Sequence, residues 1–494
     1  MKRLLPTLLI AVGAASPAPL GERISRLIDA SPLARSAFWG IQIVDLASGE
    51  TLYEANPNRF FVPASNTKLF SAALALTRLG PDFRFVTTVR SAQEPDGAGV
   101  VHGPLILNGG GDPNLSARPL PYRMGPAGGD PLAAIEDLAG QVVARGVRRV
   151  EGGIIGDDTW YVWEPYPDGW GIGDPLYDYG APPSALTVND NAFTLSIRPG
   201  ARDGDPAALS LNPSVEYYSI DNRVRTAASG ERRIRYYRDP GGRQLRLWGI
   251  IPLRDKGEDL LLGIDEPAAY AAAALRRALE TRGVTVTGAA AARHLFPNEV
   301  DDLKSAPPPP APAGVELARR ESAPLAEDLR VTGKVSQNLH AELALRAVAR
   351  VRRNVGSREA GVEEMKAFLE EAGVGPSQYN LVDGSGLTRL NLVTAAAVVR
   401  LLRYMHASPH REAWIGLLPV GGVDGTLSSR FGGGPAAGRI HAKTGSLSHV
   451  AALSGYAERS GGGWVAFSIL VNNFNGPAAE VRGVIDRICT LIVE

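Results

Sequence analysis

Cysteine is nearly absent. Cys489 is the only one in 494 residues, which excludes an intrachain disulfide and a thiolate cluster around a metal. It sits among Val484, Ile485, Ile488 and Leu491, the apolar face of a last helix, so a buried and inert thiol is expected. No early cysteine is available for lipid attachment. Net charge is also absent: Lys+Arg and Asp+Glu both total 52. That balance argues against a polyanion-binding protein as the first reading, with no nucleic acid among the expected partners, and leaves local patches open. The seven histidines are read as holding no pair at a metal-ligand spacing such as His-x-x-x-His, and neither a metal nor a cofactor is expected.

The N-terminus reads as an export signal. Lys2 and Arg3 precede a mostly apolar stretch at 4–15 that is too short to span a bilayer, and small residues follow at Gly13, Ala14, Ala15, Ser16 and Ala18. Residues 1–18 are taken as a signal peptide. Further on, no apolar run reaches the roughly 20 residues of a spanning helix. The expectation is a periplasmic or otherwise extracytoplasmic protein without a transmembrane segment, its peripheral membrane attachment and oligomeric state left open.

Ile41, Ile43 and Val44, then Ala47-Ser48-Gly49, then Thr51-Leu52-Tyr53 read as a hairpin. Leu69, Ala72, Ala73, Leu76 and Leu79 follow at helical spacing up to Gly80-Pro81, with Ser65 where that helix begins. The stretch 91–315 is an inserted β-rich module of one or two subdomains, with one Ala-rich helix near 267–282; it ends at the Pro307-Pro308-Pro309-Pro310 linker. Helices near 323–351 and 359–373, strands at 438–444, 450–457 and 464–472, and a final helix complete the chain. The reading is a multi-domain α/β protein in which 19–90 and 316–494 form one discontinuous domain around the insertion.

Three clusters carry chemistry. In Pro63-Ala64-Ser65-Asn66-Thr67-Lys68, a helix would bring the Ser65 hydroxyl and Lys68 amine to one face. A desolvated lysine can then take the serine proton, and the helix start offers backbone N–H groups to an oxyanion. An N-cap serine beside a solvated lysine would look the same. In Lys334-Val335-Ser336-Gln337-Asn338, Ser336 could relay a proton and Asn338 hold an amide or Lys68, or Ser336 could simply cap a helix. In His441-Ala442-Lys443-Thr444-Gly445-Ser446, Lys443 offers a fixed positive charge, Thr444 and Ser446 offer donors for a carboxylate, and Gly445 allows a substrate backbone to approach. A polar strand end with a turn glycine is the plainer alternative. Together, in this order and on these elements, the three form the set Ser-x-x-Lys, Ser-x-Asn, Lys-Thr-Gly of penicillin-recognising serine enzymes.

On these residues the chain resembles the D-alanyl-D-alanine carboxypeptidase/endopeptidase family, the low-molecular-mass class C penicillin-binding proteins. Further shared stretches are Gly109-Gly110-Gly111-Asp112-Pro113, Tyr179-Gly180-Ala181-Pro182-Pro183-Ser184-Ala185-Leu186, Asp383-Gly384-Ser385-Gly386-Leu387-Thr388-Arg389 and Asp424-Gly425-Thr426-Leu427. A long insertion between the first two motifs is itself a family trait. The resemblance implies a penicillin-binding, β-lactamase-like fold and an acyl-enzyme on Ser65, with Lys68 as base and the N–H groups of Ser65 and Ser446 as oxyanion hole. It further implies that Ser336, with Asn338 and Lys443, protonates the leaving amine, while Thr444, Gly445 and Ser446 bind substrate. The implied partners are peptidoglycan peptides ending in D-Ala-D-Ala, with β-lactams as covalent inhibitors and cross-link cleavage as a second activity. Gln337 stands where many relatives carry aspartate, at a position read as leaning to solvent, and Ser446 where many carry threonine.

Two rivals stay in view: a β-lactamase, for which no deacylating-base motif is found, and a non-catalytic wall-binding module. Among other features, Asp157-Asp158 reads as a solvated turn, Asp383-Gly384-Ser385-Gly386 as a turn with either a folding or a substrate role, and Trp160, Tyr161, Trp163, Tyr166 and Trp170 as packing of the inserted module or a glycan contact. His441 and His449 read as strand and loop residues.

Overall fold

The computed structural model describes residues 18–125, 128–310 and 313–494. The leader expected at 1–18 lies, through residue 17, outside the described residues.

Phe38–Asp45 and Thr51–Ala55 pair antiparallel as a hairpin. The other edge of Phe38–Asp45 pairs with Trp464–Asn472, which pairs with Val450–Glu458 and then Ile440–Leu447. Strands from both ends of the chain thus share one five-stranded sheet, with Ile440–Leu447 on its edge. Val450–Glu458 reads as an almost unbroken apolar run because both faces of the sheet are covered. Ala451, Leu453 and Ala457 enter a core with Val484, Ile485 and Ile488 of the last helix, Ala478–Val493; Ala452 and Tyr456 enter a second core with Leu69, Ala73 and Leu76. Cys489 is fully buried in the first core, and burial pushes its thiol upward.

The second core is built by Thr67–Leu79, Leu325–Lys334, Asn338–Arg353, Arg358–Glu371 and Ala395–Ala407. The helical stretch read near 323–351 is therefore two helices, broken where Ser336 takes φ +66°. An L-residue there costs roughly 1–2 kcal/mol, so the surroundings must hold it.

The inserted segment leaves on Val86–Ser91 and returns on Val315–Glu321, which pair antiparallel. Both belong to a mixed sheet with Leu105–Asn108, Ile154–Val162 and Ala290–Leu295. Among the described residues, three three-stranded sheets complete the insertion. Pro267–Thr281 forms the expected Ala-rich helix, and a second helix, Ala133–Ala144, goes beyond the sequence reading. It has no side-chain cap and holds Gly140, so local signals are weak; burial of Ile135, Leu138, Ala139 and Val142 in the insertion's core holds it instead.

Two further readings change. Asp157 and Asp158 lie within Ile154–Val162 and are buried, not in a solvated turn: Asp158 Oδ2 accepts from Ser184 Oγ at 2.7 Å and pairs with His294, while Asp157 accepts from Thr159 and pairs with Arg293. The aromatic cluster packs between the insertion and the helices, with Arg350 over Trp160, Trp163 stacked on His294 and Trp170 bonded to Asp383.

Candidate active site

Ser65 stands in a tight turn, Ala64–Asn66, that opens the helix Thr67–Leu79. Ala64 takes φ +48°, a strained backbone that lifts the Ser65 hydroxyl out of the helical register. Lys68 follows one turn later, only 1% exposed, and its Nζ donates to Ser65 Oγ at 2.9 Å, Asn338 Oδ1 at 2.6 Å and Ser385 O at 2.7 Å. Burial of the ammonium outweighs the attraction of Asp383 and Glu342 and lowers its pKa to about 7.

Lys443 Nζ donates to Ser336 Oγ at 2.8 Å and to Thr444 O at 2.9 Å. It too is 1% exposed. Burial, then the neighbouring Lys68 charge, moves its pKa well down. Two buried amines share this corner, and protonation of one opposes protonation of the other. Asn66 Nδ2 donates to Lys443 O at 2.9 Å, tying the serine turn to the edge strand.

Gly445 serves packing as well. A β-carbon there would lie 2.6 Å from Pro63 O and 3.3 Å from the Ala64 side chain, so its missing side chain admits the Ser65 turn against the strand. Along the open edge, the Ile440 carbonyl and Ala442 N–H already bond Gly421 and Pro419. By strand alternation, Thr444 and Ser446 turn their backbone groups the same way, along the cleft. Thr444 Oγ1 lies 2.9 Å from Thr426 Oγ1. A cleft of about 490 Å³ is lined by Ser65, Ser336, Thr426, Arg430, Thr444 and Ser446, with Ser429 and Arg482 at its margin.

Ser336 caps no helix. Gln337 does, accepting from Leu339 N–H at 3.1 Å, while its amide donates to Asp190 Oδ2 at 3.2 Å. Gln337 is half-buried against the insertion, which corrects its reading as a solvent-leaning position. Asn338 Nδ2 donates to Tyr179 O at 2.8 Å, so the insertion holds this turn twice.

Sequence reasoning left the loop at Asp383 undecided. Its carboxylate accepts from Gly386 N, Thr388 N, Asn391 Nδ2 and Trp170 Nε1, and Glu342 Oε1 accepts from Gly384 N and Ser385 N. This packed loop aims Ser385 O at Lys68; Gly386, at φ +80°, passes where a β-carbon would meet Ala64 O at 1.9 Å. Arg430, paired with Asp486, and Arg482, on the last helix and without an ion pair among the described residues, are cleft residues that no motif announced.

His441 lies beside Trp464 and His449 bonds Phe474 O. His406 and His410 do stand at His-x-x-x-His spacing, which corrects the reading that no histidines are so paired. The helix carrying His406 ends at Ala407, so the two do not share a helical face.

Serine hydroxyls and buried amines gathered beside an edge strand are the arrangement of the penicillin-recognising serine enzymes. The sequence model of the D-Ala-D-Ala carboxypeptidase 3 (S13) family matches residues 20–490, and the chain belongs to that family. It is 37% identical over 493 residues to a D-alanyl-D-alanine carboxypeptidase of Actinomadura sp. (strain R39), covering 96% of this chain and 86% of that one. It is 25% identical to the D-alanyl-D-alanine carboxypeptidase DacB of Haemophilus influenzae, covering 87% of this chain and 84% of that one. Among solved structures, penicillin binding protein 4 (dacB) from Haemophilus influenzae superposes with a TM-score of 0.80 at 23% identity, covering 95% of this chain and 99% of that one. The protein is a D-alanyl-D-alanine carboxypeptidase with the mixed α/β fold of the penicillin-binding proteins.

Proposed function

We propose that Ser65 is the acylated nucleophile and that 19–90 with 316–494 forms the peptidase domain. The single observation that carries this is the contact of Lys68 Nζ with Ser65 Oγ at 2.9 Å, made by an amine whose pKa lies at about 7. Neutral Lys68 takes the Ser65 proton as Oγ attacks the carbonyl carbon of the penultimate D-Ala. The N–H groups of Ser65 and Ser446 receive the oxyanion. As the C–N bond breaks, Ser336 passes a proton to the departing amine and is resupplied from the Lys443 and Lys68 pair, with Asn338 holding Lys68. Water then attacks the ester, giving its proton to Lys68, and Ser65 is regenerated. Thr444 and Ser446 hold the terminal carboxylate, favoured by the cations Arg430 and Arg482 at the cleft.

The substrate is a peptidoglycan stem peptide ending in D-Ala-D-Ala, β-lactams acylate Ser65 in its place, and cross-link endopeptidase action follows from the same chemistry on a D-alanyl bond with a bulkier leaving amine. Export beyond the cytoplasm, to the periplasm or its equivalent, is the location that the substrate reading supports. No described helix is long and apolar enough to cross a membrane. The test is release of D-Ala from a soluble D-Ala-D-Ala peptide: Ser65→Ala should abolish it, and full activity in that variant would sink the assignment.

A further inference from the structure

The insertion exposes a charged sheet that the cleft does not use. In the strands Ser219–Ala227, Gln244–Pro252 and Arg233–Tyr237, alternate side chains face solvent. Register sets Arg223, Trp248 and Arg235 side by side, with Arg225, Ile250 and Arg233 in the next row and Asp221, Arg246 and Tyr237 in the row beyond. All five arginines are exposed, and Trp248, 43% exposed, lies at their centre. Arg223 pairs with Asp221 at 2.8 Å; the other four have no ion pair among the described residues. In a chain with as many acids as bases, this is a concentration of one sign on one face. A shallow recess of about 420 Å³ opens among Asp221, Arg223, Gln244, Arg246 and Trp248.

The other face of the sheet connects through side chains to the Ser336 turn. On the opposite side of Arg233–Tyr237, Tyr236 meets Tyr177 edge-on at 6.2 Å, and Tyr179 two residues later carries the carbonyl that holds Asn338. A flat indole stacks on the C–H face of a sugar ring, and guanidinium forks bind carboxylates in bidentate fashion. From this charge complementarity we infer that the face binds peptidoglycan itself: a glycan ring on Trp248 and stem-peptide carboxylates on the arginines, next to the peptide offered to Ser65. The inference rests on the substrate reading above.

The test is sedimentation of the exported protein with purified sacculi stripped of phosphate polymers, comparing wild type with Trp248→Ala and with Arg235→Glu/Arg246→Glu. Wild type should pellet at low ionic strength and less at high salt. Each variant should pellet at least about five-fold less while releasing D-Ala from a soluble peptide within about twofold of the wild-type rate, which also shows that it is folded. Variants that pellet like wild type overturn the inference. So does wild-type binding that disappears when phosphate polymers are stripped, or that single-stranded DNA displaces at trace concentration. Failure of the substrate reading would show separately, as no D-Ala release by wild type from the soluble peptide.

Discussion

Lys68 has to be buried to be a base and tethered to be useful. Its three acceptors fix the amine on Ser65, and desolvation brings its pKa to about 7. A lysine base works deprotonated, so the acylation rate should rise with pH along a limb centred near 7; a rate flat from pH 5 to 9 would contradict this. Lys68→Ala should slow penicillin acylation by about 10²–10⁴-fold, measured by stopped-flow fluorescence. Gly445→Ala should slow acylation and lower the melting temperature together, because its β-carbon forces the edge strand off the Ser65 turn. The motif residues were legible because their chemistry depends on side-chain type and spacing. Ser385 and Tyr179 were not, since each contributes a backbone carbonyl, which any residue supplies. Arg430 and Arg482 reach the cleft only through tertiary packing of the last helix.

At the scale of elements, the break between Leu325–Lys334 and Asn338–Arg353 creates the Ser336 turn, and a buried ion cluster clamps it. His340 lies 2.6 Å from Asp328 and 3.1 Å from Asp190, and Arg118 also pairs with Asp190. Burial disfavours the His340 cation, but the two carboxylates outweigh it and raise its pKa to about 9. A raised histidine stabilises the fold fully below its unfolded pKa of about 6.5 and loses that contribution as pH climbs through about 9. The melting temperature should therefore fall across that window, and His340→Gln should flatten the slope; an unchanged slope would exclude the cluster as its source. Sequence periodicity joined these two helices because Leu329, Leu339 and Leu343 continue one apolar pattern, and nothing local announces a left-handed serine. It missed Ala133–Ala144 for the opposite reason, a helix held by burial with few local signals.

For the whole molecule, the insertion is an active-site wall as well as an appendage. Tyr179 O on Asn338 and Asp190 on Gln337 join it to the Ser336 turn, and Trp170 on Asp383 joins it to the loop that aims Ser385 O at Lys68. Trp170→Phe keeps the ring and deletes one hydrogen bond to a buried carboxylate, so about 1–3 kcal/mol of stability should be lost, read as a urea-midpoint shift, with acylation slowed several-fold. The antiparallel pairing of Val86–Ser91 with Val315–Glu321 explains how so long a segment leaves and returns at one place. The central claim is that Ser65 forms the acyl-enzyme, and intact-mass measurement after exposure to a penicillin, with peptide mapping, tests it most directly. One stoichiometric adduct on Ser65, absent from Ser65→Ala, is the predicted result; an adduct elsewhere, or none on folded protein that also leaves the drug intact, would contradict it.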